Sequence, residues 1–281
     1  MEFSFDREKL IERYQPDFAM AYGSGVFRQE GYSETEKPMI DFIFGVDDPI
    51  AWHRRNLREN GRDYSFIAQI CGENFVSWLQ GMGAGIYYNP YVDFEGQTIK
   101  YGVISTADLI DDLNNWTSLY VAGRLHKPVE ILKSTDEIDD TIKVNLEHAV
   151  NVAYYLCFGK HTEQELYEAI AGISYLGDSR MKFAENPDKV KNIVSKNLEG
   201  FRELYGNVPQ KISMDNYFEM IDELPENLRD VWLGSGTKIL PNAISSIVHS
   251  SSISQTMKGL VSAGLFKSIR YVMEKMKKAK R

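Results

Sequence analysis

The sequence predicts an α/β front half, a mostly helical back half, and a basic amphipathic helix at the C-terminal end. Three observations carry this reading. Short apolar runs bounded by turn formers crowd residues 17–132, and long amphipathic periods at helical spacing occupy residues 142–223. The charge then changes sign over the last 24 residues. At 281 residues, 43% hydrophobic and 26% charged, the chain can bury a real core, which excludes a disordered or disulfide-stapled protein.

Residues 6–14 read as a short helix, ended near Pro16. Residues 17–22 form a compact apolar strand that runs into Gly23, Ser24 and Gly25. A polar loop of turn formers follows, and residues 39–46 make a second strand, stopped by Asp47, Asp48 and Pro49. Residues 50–60 and 66–80 have helical spacing. Gly81, Gly83 and Gly85 break the chain before the apolar segment at 86–88.

Residues 98–104 are a further strand, and Ser105 or Thr106 caps a helix over 107–119 with Asp108 in its first turn. Residues 127–132 give one more strand. From about residue 136 the amphipathic helices are 142–157, 162–173, 187–204 and 214–223, and a last segment starts near Pro241. The expected domains are therefore 1–135, 136–240 and 241–281.

Cys71 and Cys157 form no CxxC pair and sit in apolar surroundings, so both are expected to be buried thiols of a reducing compartment. The first residues show no apolar h-region and no Arg/Ser-rich transit pattern, and no stretch nears the roughly 20 apolar residues that span a bilayer. The net charge is −8, yet residues 258–281 hold eight basic residues against Glu274 alone. An acidic body excludes nucleic acid as a partner, whereas the basic end suits a polyanionic surface.

Chemistry enters at the first two strands. Small residues at 23–25 let backbone N–H groups approach phosphates, with the Ser24 hydroxyl as a further donor. Asp41 lies inside an apolar strand, where a charge needs a cation or a hydrogen-bond partner; a satisfied structural Asp is the plain alternative. Magnesium suits a carboxylate beside triphosphate oxygens. Lys100, in the strand at 98–104, needs an anionic partner, and Arg124 and Lys127 flank His126 in a turn. Each of these cations is either an ion-paired structural group or a neutraliser of phosphate charge.

A second metal ligand stays open among Asp47, Asp48, Asp93, Glu95, Asp111 and Asp112. His53 reads as structural or substrate-orienting, and Trp116 and Tyr120 read as core. Gly-Ser followed by a strand Asp resembles the nucleotidyltransferase fingerprint, although Ile43 stands where that superfamily has its second acid.

The wider pattern is more specific. It comprises residues 22–27 (YGSGVF), 41–44 (DFIF), 46–49 (VDDP), Trp52-His53, 88–90 (YNP), 99–105 (IKYGVIS), Trp116, and above all 119–129 (LYVAGRLHKPV). Residues 250–264 continue it, with Lys258-Gly259 followed by Ser262-Ala263-Gly264. This set closely resembles the soluble, mitochondrial-type phosphatidate cytidylyltransferases, the translocator assembly and maintenance family of CDP-diacylglycerol synthases, and covers essentially the whole chain. In that family, too, the strand reads Asp-x-Ile.

The resemblance implies a nucleotidyltransferase-like domain followed by a winged-helix-like one. It implies the reaction of CTP with phosphatidic acid to give CDP-diacylglycerol and pyrophosphate, with Mg2+ or another divalent metal such as Mn2+ or Co2+. Asp41 is then the metal-binding and catalytic carboxylate, with Lys100 as its catalytic cation. Tyr22, Gly23, Ser24, Gly25, Arg124 and Lys127 are the nucleotide-binding set.

At the end of the chain, Val261, Leu265, Ile269, Val272 and Met276 form one apolar helical stripe, with Lys267 and Arg270 beside it. Lys258, Lys267 and Arg270 are the expected contacts with lipid and an anionic membrane surface; packing of the stripe on the body is the alternative. The expected location is peripheral, on the cytoplasmic face of a bacterial membrane or the matrix side of the mitochondrial inner membrane. Two competing readings are a nucleotidyltransferase with a non-lipid acceptor and a non-catalytic membrane scaffold.

Overall fold

Five strands form one mixed sheet in the computed structural model, which describes residues 6–23, 39–157, 161–178, 181, 186–206, 208, 224–229 and 240–262. The strands are β1 (Phe18–Tyr22), β2 (Ile40–Val46), β3 (Ile86–Phe94), β4 (Gln97–Ser105) and β5 (Glu130–Lys133), in the order β3-β4-β2-β1-β5. Only the central pair, β2 and β4, runs parallel; the other neighbours are antiparallel. Every expected strand is present, and the apolar segment after the glycine break extends into the nine-residue β3.

The helices are α1 (Arg7–Tyr14), α2 (Pro49–Glu59), α3 (Phe66–Gln80), α4 (Thr106–Asn115), α5 (Ala122–Leu125), α6 (Asp136–Leu156), α7 (Glu163–Gly172), α8 (Lys189–Lys196), α9 (Leu198–Tyr205) and α10 (Leu240–Ser262). The chain divides into two compact units. Among the described residues, the first takes 6–23, 39–109, 129–136 and 254–262, and so contains the sheet; the second is helical and takes most of the rest.

In the first unit, strand alternation sorts the side chains by face. Phe42, Phe44 and Val46 of β2 join Tyr101 and Val103 of β4 against Leu10 and Tyr14 of α1 and Trp52 of α2. Polar groups buried on this side are bonded to one another. Tyr14 and Tyr101 donate to Asp63 Oδ2 at 3.0 and 2.9 Å, and Asn56 donates to the hydroxyls of Tyr64 and Tyr101. His53 is fully buried between the Tyr64 hydroxyl and Gln80 Oε1, both at 2.8 Å. Burial lowers its pKa to about 4, against a weaker opposing effect of Gln80, so the ring is neutral. His53 is structural.

Helix α4 stops at Asn115, short of residue 119, because Trp116 and Leu119 take positive φ values of 54° and 53°. In the second unit Asp112 gathers the released chain, accepting from the amides of Ser118, Val121 and Ala122 at 2.8, 2.9 and 3.0 Å. Trp116 is wholly buried and donates to Asn145 Oδ1 of α6 at 2.8 Å. The single helix expected over 187–204 is two, α8 and α9, separated at Asn197. Residues 214–223 lie outside the described residues.

One expectation fails clearly. Cys71 is exposed, and Cys157 is only partly buried. Gly72, with φ 74° and ψ −173°, breaks the helical path of α3, and the apolar run before it faces outward.

Candidate active site

Four adjacent strands each lay one functional side chain on the sheet face opposite Phe42 and Phe44. Asp41 of β2 pairs in register with Tyr22 of β1 on one side and Lys100 of β4 on the other. Tyr88 of β3 pairs with Gly102 of β4, two residues along from Lys100 and so on the same face. The row Tyr22, Asp41, Lys100, Tyr88 is therefore a consequence of register.

Lys100 Nζ lies 3.5 Å from Asp41 Oδ1, and both side chains are partly exposed at the sheet's rim. The same ammonium stands 4.3 Å from the centroid of the Tyr88 ring, a cation–π distance. The Tyr88 hydroxyl is 3.2 Å from that of Tyr22, so the two tyrosines bridge the row end to end. Gly102 makes this possible: a Cβ there would sit 2.5 Å from Tyr88 Cε1 and 2.7 Å from Ile86 Cδ1. Gly23 follows β1 with φ 84°, a conformation suited to glycine, and its missing Cβ would lie 3.6 Å from Asp41 Oδ2. Gly23 thus lies directly beside the carboxylate.

Asp41 Oδ1 is buried and accepts no hydrogen bond. A buried carboxylate oxygen whose nearest partner is the Lys100 ammonium at 3.5 Å, too long for a hydrogen bond, keeps acceptor capacity that suits a cation. Among the described residues no group of three or more His, Cys, Asp or Glu side chains is placed to hold a metal. That still fits magnesium, which takes one or two carboxylates and completes its shell with phosphate oxygens and water.

Five of the six acids left open as a second ligand are engaged elsewhere, Asp47 being the exception. Asp48 caps α2 through the Ala51 amide, Asp93 accepts from Gly96, Glu95 pairs with Lys9, Asp111 accepts from Asn115 and Thr117, and Asp112 holds the loop before α5. Ile43 is completely buried two residues from Asp41.

The other expected residues fall as follows. Ser24 and Gly25 lie outside the described residues, as do Lys267 and Arg270. Arg124 and Lys127 belong to the second unit, not to the unit that holds Asp41. The Arg124 guanidinium stacks 3.8 Å from the Tyr120 ring centre and donates to the Tyr120 carbonyl. Lys127 donates to the Gly123 carbonyl and to Ser174 Oγ at 2.8 Å. Burial, with the nearby charges of Arg124 and Lys189, holds its pKa well below the usual lysine range.

Lys258 is 6% exposed and turned inward, so a surface contact with a membrane does not fit this residue. Its ammonium donates to the carbonyls of Gln80, Met82 and Ile86 at 3.1, 2.5 and 2.9 Å. Burial lowers its pKa to about 8, and the charge of Asp108 works in the opposite direction. Beside it, Gly83 meets Ser254 so closely that a Cβ would lie 2.1 Å from Ser254 Oγ. The residue the sequence did not single out is Tyr88; its signal was an aromatic at strand spacing opposite a glycine.

Comparison with known proteins places these residues in context. A family model described as "Phosphatidate cytidylyltransferase, mitochondrial" matches residues 7–231 and 231–278. Proteins of that name from several organisms are similar to this chain. The one from Schizosaccharomyces pombe is 38% identical over 324 residues, covering 96% of this chain and 82% of the relative. Those from Danio rerio and Mus musculus are each 40% identical over 317 residues, covering 96% of this chain and 93% of the relative.

Proposed function

The chain belongs to the mitochondrial phosphatidate cytidylyltransferase family, and from that premise we propose that it transfers CMP from CTP to phosphatidic acid at a membrane surface, using magnesium. The observation that carries the site is the Asp41–Lys100 pair, set across adjacent strands beside the Gly23 turn.

In this reaction a phosphate oxygen of phosphatidic acid attacks the α-phosphorus of CTP. A new P–O bond forms, the bond from the α-phosphorus to the bridging oxygen breaks, and pyrophosphate leaves with the electron pair. The attacking oxygen is already ionised, so alignment and charge neutralisation dominate over proton removal. Asp41 would hold magnesium, which supplies positive charge to the phosphates when bound. Lys100 meets the negative charge that grows on the phosphate oxygens, its position fixed by Asp41 and the Tyr88 face. Tyr22 and Tyr88 wall the row, and the chain from Gly23 to Gly25 offers backbone donors to the triphosphate.

Arg124 and Lys127 are the phosphate-binding cations of the second unit in this reading, a role that the family premise supports. The family premise also supports a nucleotidyltransferase-like first unit, with its mixed sheet, and a winged-helix-like helical unit. No helix among the described residues is long and apolar enough to cross a membrane, and with the basic tail this supports a peripheral protein, on the matrix side in a mitochondrion.

The test follows radiolabel from CTP into lipid on phosphatidic acid vesicles with magnesium, for the wild type and Asp41→Asn. Label that requires both magnesium and Asp41 is the expected result. Label that survives Asp41→Asn removes Asp41 from the site, and no label with any of magnesium, manganese or cobalt overturns the cytidylyltransferase reading in favour of a scaffold.

A further inference from the structure

Helix α3 turns the usual pattern inside out. Its inner face is anchored, since Ala68, Val76 and Leu79 are buried with Tyr64 and Tyr87. Its first six residues nevertheless present Phe66, Ile67 and Ile70 at 75%, 48% and 68% exposure, together with exposed Cys71. Trp78, in the same helix past the Gly72 break, is 59% exposed as well. Isolated exposed apolar groups are ordinary, whereas several large ones on one short segment mark a surface that meets another apolar phase.

The charges nearby identify that phase. Within α3 the single ionisable carboxylate is Glu73, and Arg54 of α2 binds it at 2.9 Å. Arg54 and Arg58 are exposed one turn apart on α2, and exposed Arg62 precedes Phe66 by four residues. An apolar wedge fringed by arginines complements the acyl boundary and anionic headgroups of a bilayer. A second copy of this strongly acidic chain would match the arginines but would have to supply an apolar face as well.

We propose that the outer face of α3, with Phe66, Ile67, Ile70 and Trp78 inserted and Arg54, Arg58 and Arg62 at the headgroups, is a membrane-docking surface distinct from the basic C-terminal segment. The proposal rests on the lipid-substrate reading above, and it places a lipid contact on the same unit as Asp41. The sequence hides it, because Cys71 in the same apolar run reads as a buried thiol.

The experiment uses the full chain with Cys157→Ser, which leaves Cys71 as the one thiol, labelled with the polarity-sensitive dye NBD. Vesicles of phosphatidylcholine with about 20% phosphatidic acid are added, and NBD emission and vesicle flotation are measured together; that lipid fraction is a choice of probe at the scale where anionic surface attraction acts. The expected result is a blue-shifted rise in emission, quenched by nitroxide groups near the top of the acyl chains. In unlabelled protein, Phe66→Ser with Ile70→Ser should weaken flotation by about tenfold, and Arg58→Gln or Arg62→Gln by about fivefold each, with thermal midpoints unchanged.

Flotation without any NBD change overturns the proposal and leaves docking to the C-terminal segment. An NBD rise that needs protein concentration but not vesicles overturns it in favour of a second copy. CDP-lipid formation in the same samples separates the two readings: product with unchanged NBD discards the surface alone, and an NBD response without product discards the reaction alone.

Discussion

The ring of Tyr88 lies across Gly102, with its Cε1 atom 2.5 Å from where a Cβ on Gly102 would stand. That contact lets a side chain on β3 reach across β4 and end under the Lys100 ammonium, within 3.2 Å of the Tyr22 hydroxyl. The site depends on an absent methyl group as much as on its charges.

Gly102→Ala should therefore displace the Tyr88 ring. Overpacking of this kind costs about 1–3 kcal/mol, and misplacing a catalytic cation by about 1 Å costs on the order of a hundredfold in rate. Removing the ring as well, in Gly102→Ala with Tyr88→Ala, should restore part of the stability without restoring activity, the approach to Ile86 Cδ1 remaining. Thermal unfolding and cytidylyl transfer of the two single variants and the double variant check this; a double variant no more stable than Gly102→Ala would contradict the contact.

Asp41 and Lys100 should behave as a unit. Loss of one preorganised charge from a phosphoryl-transfer site costs about 10²–10³-fold in kcat. Asp41→Asn and Lys100→Met should each show a loss of that order, and the double variant should lose far less than the product of the two. Steady-state kinetics on vesicle substrate measure this, and independent multiplying losses would show that the pair does not share a role.

Much of this was legible along the chain, for a physical reason. Asp41 and Lys100 interrupt apolar strands, and a charge in such a place announces a partner. Their adjacency was not legible, because it is set by the parallel register of β2 and β4, which no local pattern fixes. Tyr88 was hidden in the same way, with an irregularity between Asn89 and Val92 shifting the pairing of β3. Cys71 was read as buried from its apolar neighbours, because composition alone cannot tell which face a helix turns inward once Gly72 breaks it. Lys258 was read as a surface charge, since an inward lysine is rare and its three carbonyl partners lie more than 170 residues away.

The first unit should be sensitive to acid through His53. Its pKa is about 4 in the fold and near 6.5 when unfolded. Between those values the unfolded chain binds a proton that the folded chain refuses, so stability falls as the pH drops from 6.5 toward 4. The full difference is on the order of 3 kcal/mol. Denaturant unfolding at pH 7, 5.5 and 4.5 should show the decline, and His53→Gln should flatten it. His126, lowered to about 3 chiefly by burial, adds a loss of the same sign in the second unit.

Lys258 should act as the tie between α10 and the glycine-rich turn at 81–85. Its ammonium supplies donors to three carbonyls there, one of them on Ile86 at the start of β3, the strand that carries Tyr88. Lys258→Met keeps the stem but leaves those carbonyls without a donor, at a cost of about 1–3 kcal/mol. Lys258→Arg keeps the charge but brings a planar fork too wide for a point contact. Hydrogen exchange should accelerate in both variants over residues 81–88 and 254–259 while α1 and β2 stay protected, and turnover should fall further in Met than in Arg. Protection unchanged at 81–88 would show that the turn holds β3 without the lysine, and would confine Lys258 to anchoring its own helix.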